Sequence, residues 1–315
     1  MKKEITMKNN TYFKLFIILL LALLFRFWCL DKPEGLWNDE YVSWFIASKK
    51  DFSIFLSEML KNCHTPLYYL YLKFWMFLFS DSDISLRVSS VIPSLFSVVT
   101  MFFVGKEAKN IQLGLLCSFL TAISSFNIYF AQEVRLYSLL FLFSSLILLF
   151  FIRITKKQSA QNYILYFVFN ALVCAIHTLG IIFSFINILT LFIFLYRKNE
   201  LFKHSIKNII SVLKYIAPFL FVIVIISPFL YTIAFSNSLS QFWSGFSLSK
   251  IVFNLIDYFS PIQTNIINSP DTIMAYIFKN GNLNYIFIIF AIIPTIVALI
   301  GISYALNEKN NVINT

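Results

Sequence analysis

Charge is scarce in this chain. Only 13% of its 315 residues are Asp, Glu, Lys or Arg, against roughly 25% in a soluble domain, which excludes an ordinary cytosolic globule. Gly (7) and Pro (8) are too few for a collagen-like or low-complexity chain. The four cysteines, Cys29, Cys63, Cys117 and Cys174, form no CxxC pair and no metal-type spacing. Cys117 and Cys174 lie in apolar runs, where Cys acts as a small buried hydrophobe. Only Cys29 and Cys63 share one face, so the redox compartment is not legible. No GxGxxG, P-loop, GxSxG or HExxH occurs, which leaves nucleotide, acyl-serine and zincin chemistry without their usual signals. Paired interrupted helices in two matching halves, the mark of many transporters, are absent too.

What the chain has instead is apolar length: 59% hydrophobic residues, 38 of them Phe. The runs are continuous rather than alternating, as in Tyr12 to Phe27, so they predict helices and not the strands of a membrane barrel. Runs near 12–30, 84–104, 111–130, 136–152, 212–235 and 283–304 are each long enough to span. The stretch 162–196 is broken at His177-Thr178-Leu179-Gly180 and predicts two short helices meeting there. The expectation is an all-α polytopic membrane protein with about eight crossings. The first run follows Lys2, Lys3, Lys8 and Lys14 but lacks a small-residue cleavage site before Asp31, and is expected to be an uncleaved anchor.

One further run, Pro66 to Phe79, is short for a span. Cation placement decides its role, because each added crossing inverts every later loop. If it does not span, the inner segments hold fifteen cations against four acids and the outer segments nine against eleven, with Arg26 inside the first span. If it spans, the basic clusters at 153–157 and 197–214 face outward. The non-spanning arrangement is therefore expected, with both termini cytoplasmic. The net charge of +10 becomes a topology signal, and nucleic-acid binding has no support.

Nearly all residues with chemical potential then fall on the outer side. In Trp37-Asn38-Asp39-Glu40-Tyr41 two adjacent carboxylates sit between aromatics. One reading is helix capping before the run from Tyr41 to Ser48. The other is a general base, since a carboxylate against apolar walls becomes a better proton acceptor. Arg87, in Leu86-Arg87-Val88-Ser89-Ser90, is placed to snorkel, to be neutralised by Asp81 and Asp83, or to bind a lipid-linked phosphate. Gln132-Glu133-Val134-Arg135-Leu136-Tyr137 puts an ion pair or a site at a tight turn. His64 and His177 are outer histidines; with Cys63 they lack zinc-ligand spacing. The loop 236–282 is aromatic and nearly uncharged, suited to lying on lipid, covering a pocket or stacking on sugar.

Taken in order, Trp37-Asn38-Asp39-Glu40, His64-Thr65-Pro66-Leu67-Tyr68-Tyr69-Leu70, Leu86-Arg87-Val88-Ser89-Ser90, Gln132-Glu133-Val134-Arg135-Leu136-Tyr137 and His177-Thr178 resemble the GT-C membrane glycosyltransferases. The nearest group is the protein mannosyltransferase-like family 39, with the Rgt-type bacterial enzymes. The resemblance covers roughly residues 15–200, and implies a catalytic transmembrane module over 1–200, including outer loop 31–83, followed by additional helices over 201–315. It implies transfer of a monosaccharide, such as a mannose-like hexose, from a polyprenyl-phosphate carrier to an acceptor hydroxyl on the outer face of the membrane; the abundance of Asn, Ile, Lys and Phe is consistent with an AT-rich genome and so with a bacterial plasma membrane. Inversion at the anomeric carbon, and no nucleotide, cofactor or metal, are implied with it. By motif, Asp39 is the expected general base, Glu40 shapes the acceptor site, and Arg87 holds the donor phosphate. His64, Glu133, Arg135, Tyr137 and His177 line the pocket. Two departures stand out: Thr65 replaces the proline of the usual His-Pro-Pro-Leu, and family members are often longer. A transporter or flippase, and a non-catalytic subunit of the same fold, are the alternatives.

Overall fold

The structure, a computed structural model, describes residues 2–28, 30–60, 65–197 and 217–235. These form eleven helices with no strand among the described residues: α1 (Lys2–Phe27), α2 (Asn38–Ala47), α3 (Phe52–Leu60), α4 (Leu67–Leu78), α5 (Asp83–Ala108), α6 (Ile111–Ile123), α7 (Ser125–Ala131), α8 (Tyr137–Lys156), α9 (Ala160–Ile176), α10 (Gly180–Arg197) and α11 (Ala217–Phe235). Segments 198–216 and 236–315, with the expected last span and the aromatic loop, lie outside the described residues. So do Cys29, Cys63 and His64.

Three helices, Asn10–Phe27 within α1, α5 and α8, are long and apolar enough to cross a membrane. A fourth crossing exists if α6 and α7, bent by 57° at Ser124, are one broken span. The run at 111–130 was expected to be one continuous span. Ser124 breaks it, because it takes an extended backbone and its hydroxyl caps α7 by accepting from the Asn127 N–H. The expected meeting of two short helices at His177 is present as α9 and α10.

Large apolar side chains face outward along α1, and α5 buries many small ones. Phe13, Phe16, Leu20 and Leu24 on α1 are about half exposed or more, whereas α5 buries Ser89, Ser90, Ser94, Ser97 and Gly105. In lipid there is no gain from hiding Leu or Phe, so helices approach through small residues and hydrogen bonds. At the α5–α6 crossing a Cβ on Gly105 would lie 2.6 Å from the Leu113 carbonyl oxygen, and one on Gly114 2.6 Å from that of Phe102. Both obstacles are backbone. We expect Gly114→Ala to lower stability by about 1–3 kcal/mol, read as an earlier thermal unfolding of the detergent-solubilised chain; an unchanged midpoint would mean the helices separate freely.

Helix α4 coincides with the short run expected not to span, and its polar atoms show how it is held. Pro93 inside α5 lacks the N–H that would bond the Ser89 carbonyl. The Tyr71 hydroxyl of α4 donates to that carbonyl at 2.6 Å. Trp75 Nε1, one turn later, donates to the Ser85 carbonyl at 2.9 Å. Lys73 donates to the Ala47 carbonyl at 3.2 Å and to the Lys49 carbonyl, and so caps the end of α2. Helices α2 and α4 are thereby fixed over the start of α5, with Ile46, Phe55, Tyr68, Leu72, Leu86, Val134 and Ile176 sharing one core.

Arg26, which the sequence leaves inside the first span, is completely buried. Its guanidinium donates to Ser94 Oγ (2.8 Å) and to the carbonyls of Ala22 (3.1 Å), Ala122 (3.0 Å) and Thr121 (3.2 Å). The last two are end carbonyls of α6, left without helical partners by the break at Ser124. The opposite end of the bundle gathers Glu107 with Arg153 (3.7 Å) and Lys156 (3.0 Å).

Candidate functional site

Four short pieces of chain meet at one end of α5: the first turn of α2, the second turn of α5, the turn between α7 and α8, and the junction of α9 with α10. Gly35 makes the approach to α2 possible. Its φ of +73° suits only glycine well, and the conformation turns its carbonyl onto Arg87 Nη2 at 2.7 Å.

The two neighbouring carboxylates divide the readings open to them. Glu40 is fully buried. Its Oε2 accepts the Trp37 N–H (3.2 Å) and Arg87 Nη2 (3.1 Å), and its Oε1 accepts Arg87 Nε (3.3 Å) and the Val134 N–H (2.9 Å). Glu40 thus closes the start of α2 and joins it to α5 and to the 132–137 turn. Arg87, also fully buried, gives its remaining nitrogen, Nη1, to the Leu30 carbonyl at 3.2 Å. Each nitrogen of the group expected to hold a phosphate therefore donates within the protein. Asp81 and Asp83 are not its partners.

Asp39 turns the other way. Its side chain is 44% exposed and meets Arg135 Nη2 at 3.2 Å; Arg135 is 12% exposed. Arg135 Nη1 also reaches the Asp39 carbonyl at 3.4 Å, and the guanidinium lies 5.7 Å from the Tyr137 ring centre. Tyr137 opens α8. A solvent-reaching carboxylate held by a nearly buried cation, on a rigid helix turn, has the form of a positioned proton acceptor.

Glu133 and His177 complete the group. Glu133 Oε1 accepts Lys32 Nζ at 2.7 Å and Oε2 accepts Trp37 Nε1. Burial raises its carboxyl above the usual range, and Lys32 offsets part of that. His177 caps the end of α9, and its Nδ1 accepts the Leu179 N–H at 3.0 Å. Burial, and then the charge of Arg135, hold His177 below its ordinary 6.5, which places it on the Arg135 side of the site. Below about pH 6.5 the unfolded chain binds this proton and the folded one does not, so stability present above that pH is lost as pH falls through it. We expect the thermal midpoint of the wild type to fall between about pH 7 and 5 more steeply than that of His177→Gln, measured side by side; parallel slopes would remove His177 from the titration.

The structure therefore brings Asp39, Glu40, Arg87, Glu133, Arg135, Tyr137 and His177 to one end of the bundle, while His64 lies outside the described residues. Lys32, Trp37 and Tyr68 also belong to this cluster and carried no assigned role from sequence. Trp37 and Tyr68 stand inside the quoted motifs; Lys32 has no local signal and is identified only by its long-range bond to Glu133. Among the described residues no group of three or more His, Cys, Asp or Glu is placed to hold a metal ion. No protein-family model, curated protein or solved structure matches the chain.

Proposed function

We propose that this protein is a GT-C-type membrane glycosyltransferase of about eight crossings, its termini cytoplasmic and its site facing outward. It moves a hexose from a polyprenyl-phosphate carrier to an acceptor hydroxyl. The observation that carries the reading is the contrast between adjacent carboxylates: Glu40 is consumed by structure, while Asp39 is exposed and held in place by Arg135. In the step this supports, Asp39 takes the proton of the acceptor hydroxyl as that oxygen bonds the anomeric carbon. The bond from that carbon to the phosphate oxygen breaks with its electron pair on the phosphate, and polyprenyl phosphate leaves. In-line displacement of this kind inverts the anomeric centre. A transporter is less well supported, since Arg26 and Arg87, the buried cations in the described spans, are each tied by hydrogen bonds within the protein rather than lining a path.

The test is release of free polyprenyl phosphate from labelled polyprenyl-phosphate monosaccharides by membranes containing the chain, with crude cell-envelope acceptors. Release by the wild type and not by Asp39→Asn supports transfer. Equal release by both removes Asp39 as the base, and no release from any donor favours the non-catalytic subunit.

A further inference from the structure

Two polar atoms in the site have no partner among the described residues, although both are buried: Tyr68 Oη and Arg135 Nε. Tyr68 is 2% exposed. A buried donor left unpaired costs roughly 1–3 kcal/mol, so two in one place call for an explanation. They are neighbours. Tyr68 packs in one core with Val134 and Leu136, the residues on either side of Arg135, and with Ile176, which precedes His177.

Each of the two residues stands at a helix start. Tyr68 lies in the first turn of α4, and Arg135 comes immediately before Leu136, the N-cap of α8; neither helix has a side-chain cap. The first N–H groups of a helix favour negative charge. Glu133, the nearest acid in the turn, is engaged by Lys32 and Trp37. Asp39 occupies the Nη side of the guanidinium, the Tyr137 side chain bonds the group as well, and Nε is the nitrogen left without a partner.

We propose that Arg135 Nε and Tyr68 Oη, at the starts of α8 and α4 that lack side-chain caps, form the anion site that receives the donor's phosphate. This rests on the glycosyltransferase reading and gives that reading its phosphate contact, since Arg87 is closed by Glu40. One guanidinium then serves two purposes: its Nη edge fixes the base, and its Nε steadies the leaving phosphate. Tyr68 supplies a neutral donor. Burial holds its phenol well above its ordinary value, so it stays protonated, and Arg135 and Tyr68 are close enough to act on one another's ionisation. The hydroxyl strengthens charge stabilisation as the carbon–oxygen bond breaks and negative charge grows on the phosphate.

The experiment is calorimetric titration of the detergent-solubilised full chain with farnesyl phosphate, with farnesol as the control for the lipid tail. Wild type, Tyr68→Phe and Arg135→Lys are compared, and the thermal midpoint of each is recorded. Tyr68→Phe removes only an unpaired hydroxyl, so its midpoint should be unchanged or higher. Its affinity for farnesyl phosphate should fall roughly 10-fold or more, and Arg135→Lys, which loses Nε and keeps the charge, should fall further. Farnesol should bind all three alike. If both variants bind farnesyl phosphate as the wild type does, the anion site is elsewhere and the glycosyltransferase reading stands. If the wild type binds it no better than farnesol, the lipid-phosphate reading fails and takes this assignment with it.

Discussion

Arg87→Ala is expected to cost about 3–5 kcal/mol of folding stability, the range for removing one partner of a buried ion pair. The cause is the Glu40 carboxylate, which would keep its burial and lose its counter-charge. The Leu30 and Gly35 carbonyls would also lose their donor. Thermal unfolding of the solubilised chain measures it, as does the yield of folded protein. A surface arginine waiting for a ligand would behave differently, since substitutions at such places stay within about 0.5 kcal/mol. Pairing the change with Glu40→Leu should recover part of the loss, because the unpaired charge then disappears. Recovery should be incomplete, for the Trp37 and Val134 N–H groups would remain unbonded. A double-mutant cycle isolates the coupling; a coupling near zero would show that Glu40 and Arg87 do not depend on one another.

One residue earlier the expected outcome reverses. Asp39→Asn should leave the thermal midpoint almost unchanged, because the pair with Arg135 is partly exposed and such pairs contribute at most about 1 kcal/mol. Sugar transfer should nevertheless fall by a factor on the order of 10²–10⁴, the usual contribution of a positioned general base. The amide keeps the shape and loses the proton affinity. The assay is polyprenyl phosphate release at saturating donor, so that weaker binding is not mistaken for slower chemistry. Full activity in Asp39→Asn would exclude it as the base. Adjacent substitutions with opposite outcomes, one on folding and one on turnover, make a sharper test than either alone.

The sequence made both carboxylates conspicuous but did not say which was free, because that depends on residues 47 and 94 positions away that bond Glu40. Local signals served where the cause was local. The short run from Pro66 is a helix of its own, α4, and the break at His177 separates α9 from α10. Signals failed where a distant segment supplied the partner. Arg26 stood inside the first span with no sign of its bonds, because three of its four acceptors come from α5 and α6. The break in 111–130 had a visible cause, a pair of serines at 124 and 125, yet apolar length concealed it. Lys32 was illegible for the same reason as Arg26. The second unit, from 201 onward, was described by hydropathy alone, and only α11 of it is described in the structure.

The buried Arg26 also constrains how the molecule is made. During synthesis the first helix emerges with a guanidinium whose partners on α6 lie about 95 residues further along the chain. Until Thr121 and Ala122 arrive, that charge has only Ala22, later Ser94, and the lipid headgroups to answer it. The first helix is therefore a provisional guest of the membrane, docked for good only when the break at Ser124 presents its open carbonyls. The N-terminal helix and the interrupted one must mature as a pair, and a chain halted before residue 120 would hold an arginine with half of its acceptors missing.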